Sequence, residues 1–439
     1  MQTTQSLFST RKLRTLLFSL LAFTAALSLP AQKEVKELKS LPHKNETFLI
    51  LVHESVVQTQ WPNTLDLVNA PQNITLLNPG ACIRVGVVAT VDNRDSYLEK
   101  TKLSFSVTYA GQKQEHALAP MAQYKKIKPE GGDFVTQVLA AADIKNPLLT
   151  MASMGVSADK WCVPVDASDG KATVDAEVET PSGHQTLKPA TIQIESFETG
   201  SKKAFKDTQE MSTFLMAYYR QQNPARLLPA MLSAIEYQTA NPKSDSIENT
   251  AAFLSAALKT DPIAAQDFLA RIATQPPLPR GLGLDILRSS GYDISTVVKT
   301  LSPDDQKKIE SMPTLADPYD LSPNRTLFHH LDLMWSTFGA TGQFKPIRTI
   351  ASTLAWRSDY DDFNKLRKSG THISELTPSI ARGLAYMAAG WSMSSFQRTD
   401  PLVADYIEYM LASPEIPDSV KTELKGLSTN PAFKQNEKK

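Results

Sequence analysis

The residues best suited to chemistry lie in LFHHLDLMWSTFGATG, residues 327–342, where His329 and His330 are adjacent and Asp332 follows. Imidazole and carboxylate groups together hold metal ions or move protons. Spacing decides whether they converge. At about 100° per residue, neighbouring helical side chains point apart, so these two histidines do not easily share one ion. The metalloprotease arrangement places its histidines at i and i+4 with a glutamate between them. Here the i+4 positions are Leu333 and Met334. His329 and Asp332 share a face at i and i+3, and a lone pair of that kind is expected to be solvated. His372 could join only from a loop. The stretch therefore reads as a helix with Leu327, Leu331, Met334, Trp335 and Phe338 inward, His329 opposite them and His330 on the flank. No bound metal or cofactor is expected; His329 and Asp332 are the candidates to hold a metal if there is one. Gly339 and Gly342 are expected to end the helix.

Other catalytic patterns are weaker. No G-x-S-x-G, Walker A, G-x-G-x-x-G, H-E-x-x-H or EF-hand loop occurs. Asp92-Asn93-Arg94-Asp95 and Asp359-Tyr360-Asp361-Asp362 lack the alternating oxygens and glycine of a calcium loop and read as solvated turns. Ser157 and Lys160, Ser322 and Asn324, and Lys368 and Gly370 fall in the order of the penicillin-binding-protein motifs. That chemistry needs its serine at a helix start with the lysine one turn on. Ser157 instead precedes a strand, and Lys368 lies among helices. No catalytic residue is assigned.

These stretches must be positioned by a chain of 439 residues, long enough for two or three domains. Its 41% hydrophobic content is ample for a core. Lys+Arg and Asp+Glu both number 46, so no electrostatic footprint for nucleic acid is present. At the N-terminus, Arg11, Lys12 and Arg14 precede the apolar run Leu16–Leu29, and Ala31 follows. This is the pattern of a secretory signal peptide, too short in its apolar run to span a bilayer comfortably. Its removal leaves a slightly acidic chain with no stable membrane span. Export places Cys82 and Cys162 in an oxidising compartment, where one disulfide is expected.

Two periodicities divide the remainder. From Thr47 to Phe197 the alternation has period two, clearest in KATVDAEVET, where Ala172, Val174, Ala176 and Val178 point one way. Ile83, Val85, Val87, Ala89 and Val91 alternate likewise, and Leu103–Tyr109 turns back at Ala110-Gly111. A helix is expected from Asp133. Trp161 sits directly before Cys162, unlike the immunoglobulin arrangement, so the half is read as a β-sandwich-like domain of its own kind. Beyond the polar stretch from Glu198 the period is helical. Asp261-Pro262, Ser302-Pro303, Thr377-Pro378 and Asp400-Pro401 are N-cap–proline pairs, and Asp207 with Glu210 is spaced as a capping box. Phe214-Leu215-x-Ala217 and Phe253-Leu254-x-Ala256 hint at a helical-hairpin repeat, against which stands an irregular bundle. ARGLAYMAAGWSMSSF, from Ala381, is expected to pack on the helix of the histidines, with Leu384, Met387, Ala388 and Trp391 lining one face and Ala385, Ala389 and Gly390 allowing close backbone approach. Trp335, Trp356 and Trp391 are the expected core of that end.

The fold expected is α+β and multidomain: an N-terminal antiparallel β-sandwich-like domain followed by an all-α helical-hairpin domain, solenoid-like or a bundle. Its boundaries are a signal peptide at 1–31, a linker at 32–46, the β-sandwich-like domain at 47–198, a hinge at 199–207, the helical domain at 208–428 and a disordered tail at 429–439. WSTFGATG at 335–342 and GWSMSS at 390–395 resemble signatures of uncharacterised exported bacterial proteins with helical C-terminal halves. The resemblance covers the last quarter of the chain and implies no activity. The expected function is a non-enzymatic interaction module of the cell envelope, exported to the periplasm or outside the cell, with a protein or an envelope polymer as partner and no nucleic acid. The alternative is an envelope hydrolase or metal-dependent enzyme with a site around His329, His330 and Asp332.

Overall fold

The structure is a computed structural model and describes residues 47–54, 74–90, 98–127, 152–312, 315–322, 327–369, 376–430 and 433. The expected signal peptide and linker, the helix expected from Asp133, the Asp92–Asp95 cluster and His372 lie outside the described residues.

The first half forms two sheets. One has the order β1 (Thr47–His53), β3 (Cys82–Thr90), β7 (Ala152–Cys162), β6 (Gln123–Ile127). The other runs β2 (Leu76–Leu77), β10 (Ala190–Ile194), β8 (Gly170–Thr180), β4 (Lys102–Tyr109), β5 (Gln112–Pro120), with β9 (Gly183–Thr186) also on β8. Neighbours are antiparallel with one exception to the expected pattern: β2 runs parallel to β10, so this sheet is mixed. Alternation decides which face is inward. Ala172, Val174, Ala176 and Val178 are buried, while Asp175, Glu177 and Glu179 are exposed. The β4–β5 hairpin turns at Ala110 (φ 49°) and Gly111 (φ 76°), the left-handed pair that suits a two-residue hairpin. Cys82 and Cys162 are directly paired across β3 and β7 and joined as a disulfide. Residues of both sheets, among them Leu51, Val85, Phe105, Trp161, Val174 and Ile192, share one hydrophobic core.

The second half is helical: α1 (Phe197–Ser201), α2 (Thr208–Ala217), α3 (Leu227–Ala240), α4 (Ser246–Thr260), α5 (Pro262–Ile272), α6 (Pro277–Ser289), α7 (Ser295–Val298), α8 (Pro303–Glu310), α9 (Leu327–Thr341), α10 (Phe344–Ser352), α11 (Arg357–Lys368), α12 (Pro378–Thr399), α13 (Pro401–Ala412) and α14 (Asp418–Lys425). The N-cap–proline pairs set the starts. Asp261, Ser302, Thr377 and Asp400 each accept a backbone N–H of the first turn of α5, α8, α12 and α13. Asp207 caps α2, and Glu210 reaches back to the N–H of Lys206, one residue earlier than a strict capping box.

Packing is not one-dimensional. In a solenoid each repeat touches only its neighbours. Here α9 packs against α4, which is distant in sequence, and against α2, α10 and α12. The arrangement is an irregular bundle with α9 through its middle. The polar stretch 199–207 completes α1 and then lies against the helices, with the Arg226 guanidinium 3.9 Å above the Phe205 ring. β1 is covered on both faces: Leu51 enters the sheet–sheet core, while Ile50 and Val52 join α9, α12 and α13. That accounts for the unbroken apolar run LILV at 49–52, since a strand buried on both faces need not alternate. Packing also continues past residue 428, where a tail was expected. Phe433 is buried against Tyr386 and fills the notch left by Gly390.

Candidate functional site

Helix α9 forms where the sequence predicts, and its stripe Leu327, Leu331, Met334, Trp335 and Phe338 is buried. The opposite side is not the open face expected. From Leu333 to Thr341 every residue is buried, including Ser336, Thr337 and Gly339. Gly339 lies inside the helix and does not end it. A Cβ there would come within 2.4 Å of the Leu215 carbonyl oxygen, so glycine permits α2 to cross at backbone contact. Gly342, with φ 64°, is the residue that turns the chain, as expected.

The two imidazoles diverge. Their ring centroids are 6.3 Å apart and the planes stand at 86°. His330 is 2% exposed, and its Nδ1 is 3.0 Å from the Asp317 carbonyl oxygen. His329 points to the start of α4. Its Nε2 is 2.5 Å from Glu248 Oε2, a close approach without hydrogen-bond alignment, and its Nδ1 is 3.8 Å from Asp245 Oδ2. The expected solvated His329–Asp332 pair is therefore replaced by a seam between α4 and α9. Asp332 is part of that seam. Burial, and then the neighbouring Asp245 charge, push its carboxyl up to about 7. Among the described residues no group of three or more His, Cys, Asp or Glu side chains is arranged to hold a metal ion. Asp332 is thus a carboxyl that can take up or release a proton near neutrality.

The serine coincidence does not assemble. Ser157 is buried in β7, where its hydroxyl accepts the Val85 N–H and donates to the Asp159 carbonyl. Lys368 is exposed at the end of α11. The acids 359–362 are not a turn but the opening of α11. Asp359 takes a two-pronged bond from Arg382, at 2.9 and 3.0 Å, Asp361 pairs with Arg357, and Asp362 pairs with Lys365. A basic partner for each acid is what an exposed helix start gains from favourable pairing.

Two buried networks were not legible in the sequence. Tyr219 donates to Asp400 (2.8 Å), Arg220 donates to the Tyr219 hydroxyl (2.8 Å), and the Arg220 Nη2 is 2.7 Å from Asp400. Asp400 also caps α13, so one carboxylate serves both helix and network. Near the C-terminus Tyr386 donates to Glu423 (2.6 Å), beside Arg357. The D-P pair at Asp400 was a visible cue; nothing local marks Tyr219, Arg220 or Glu423.

Helix α12 packs on α9 as expected, but with its other side. Ala381, Ala385, Ala389, Ser392 and Met393 are buried, whereas Leu384, Met387 and Trp391 are half-buried. Trp335 is core, Trp356 packs on that core from its edge, and Trp391 is not a core residue. Small residues let the helices close in, and that outweighs the area of the larger side chains.

Compared with known proteins, the chain matches no protein-family model and no curated relative.

Proposed function

We propose that the chain is an exported protein of the cell envelope that acts as a non-enzymatic binding module, with a protein or an envelope polymer as partner. The observation that carries the reading is the use made of its best catalytic candidates. His330 is buried against the Asp317 carbonyl, and His329 is spent on the seam between α9 and α4. The disulfide between Cys82 and Cys162 favours an oxidising compartment, as does the leader pattern before Ala31. Among the described residues no helix is long and apolar enough to cross a membrane. We read the two sheets over one core as a sandwich. The division into 47–198 and 208–428 belongs to the same proposal, as does the likeness of WSTFGATG and GWSMSS to exported bacterial proteins.

The test is affinity capture of the tagged protein from its native envelope after brief cross-linking. A stoichiometric protein or polymer, retained equally by the His329→Ala variant, is the expected result. A hydrolytic activity abolished in that variant would overturn it. A second reading, an envelope hydrolase or metal-dependent enzyme, is favoured by one observation: a buried Asp332 carboxyl pushed up to about 7 on the helix that carries His329.

A further inference from the structure

The outermost strand of the six-stranded sheet is β5, QKQEHALAP, nine residues long. No described strand pairs with its outer edge. Its inward-facing positions are set by the β4 register: Gln112 opposite Tyr109, Gln114 opposite Val107 and His116 opposite Phe105. Gln112 and Gln114 are nonetheless exposed, as are Lys113 and Glu115 on the other face. The strand thus runs beyond the core with both faces wet. It is held by its hairpin and by His116, whose ring lies 4.1 Å from Phe105 at an angle of 10° and whose Nδ1 is 3.5 Å from Asp159 Oδ2 of β7.

An edge that no described strand pairs offers a row of backbone donors and acceptors to another strand, here along 112–115. The charges on β5 specify which strand. Lys113 and Glu115 flank Gln114 symmetrically and are paired with each other at 2.7 Å, with the Asp175 and Glu177 carboxylates adding to the field at Lys113. In an antiparallel pairing centred on Gln114, Lys113 of one copy stands opposite Glu115 of the other, and the two-fold axis repeats the pair. Opposite charges directly across a strand pair are favourable and like charges are not. The bulge between the Leu103 and Phe105 pairings and the terminal Pro120 disfavour registers centred further along.

We propose that two copies of this chain associate through the outer edges of their β5 strands, antiparallel and centred on Gln114, joining their six-stranded sheets into one. The occupant is a second copy because the segment 112–116 is complementary to itself. The proposal is independent of the envelope role above.

Sedimentation velocity of the purified chain over about a hundredfold concentration range tests it. A reversible dimer weakened by salt is expected. Lys113→Glu and Glu115→Lys should each weaken it about tenfold, because both symmetric pairs turn repulsive together. The double variant K113E/E115K should restore it. Gln114→Cys should give a disulfide-linked dimer on mild oxidation, since the two-fold axis places both copies of residue 114 face to face. This variant keeps both charges and tests the register if a charge variant fails to fold. A monomer throughout the range overturns the proposal, including the case where the edge receives a different protein's strand. So does a double variant no better than the singles, or a Gln114→Cys protein that does not cross-link.

Discussion

His329 Nε2 and Glu248 Oε2 lie 2.5 Å apart across the seam between α9 and α4, and the neighbouring ring of His330 turns away to a backbone carbonyl. Two adjacent imidazoles that suggest a site in the sequence are thus divided between two packing partners. Their roles are separable by experiment.

Asp332 gives the seam a pH dependence. Its carboxyl titrates at about 7 in the folded chain, against an ordinary aspartate in the unfolded one. Between those values the native state holds a proton that the unfolded state has lost. Stability therefore falls as pH rises from about 4 to about 7 on account of this group. Asp332→Asn should be more stable than the parent at pH 8 and equal to it near pH 4, by urea denaturation. A variant less stable at pH 8 would show that the carboxylate is needed charged.

His53 acts in the opposite direction. Burial at the end of β1 lowers its imidazole to about 4. Above its ordinary value of about 6.5 the neutral ring costs nothing; as pH falls through the window to 4 the unfolded chain takes up a proton first. His53→Gln should flatten the acid limb of the stability curve between pH 6.5 and 4. An unchanged acid limb would place the acid sensitivity elsewhere.

Gly339 lies where α2 meets α9. A methyl group there would meet the Leu215 carbonyl oxygen at 2.4 Å, and backbone does not yield as a side chain does. Gly339→Ala should cost roughly 1–3 kcal/mol or more, despite alanine's better helix propensity. A neutral or stabilising effect in a thermal melt would mean that α2 does not approach so closely.

Trp335 donates its indole N–H to Ser392 Oγ at 3.0 Å, tying α9 to α12. Ser392→Ala removes the acceptor and leaves a buried donor unpaired, a cost of about 1–3 kcal/mol. Trp335→Phe in the Ser392→Ala background should then cost less than Trp335→Phe alone. Simple additivity in that double-mutant cycle would deny the bond.

What could be read in advance follows from the range of each interaction. The strand alternation at Ala172–Val178, the turn at Ala110-Gly111 and the caps at Asp261, Ser302, Thr377 and Asp400 depend on residues close in sequence, and each stands where expected. The disulfide was expected from the leader pattern together with a single pair of cysteines in one half of the chain. On α12 the close approach at Ala385 and Ala389 is legible as small residues, whereas the area of Leu384 and Trp391 points to a face that is only half-buried. The open face expected for His329 failed because it is covered by α4, and no local pattern announces a neighbour distant in sequence. The parallel placement of β2 beside β10 and the Tyr219–Arg220–Asp400 network are non-local for the same reason.

The central claim, that His329, His330 and Asp332 belong to helix packing rather than to a reaction, is tested most directly by the metal content of the purified chain and its His329→Ala variant. No stoichiometric metal in either protein is predicted, with a stability change within about 1 kcal/mol, the range of a partly exposed polar contact. One tightly held ion per chain, absent from the variant, would contradict it.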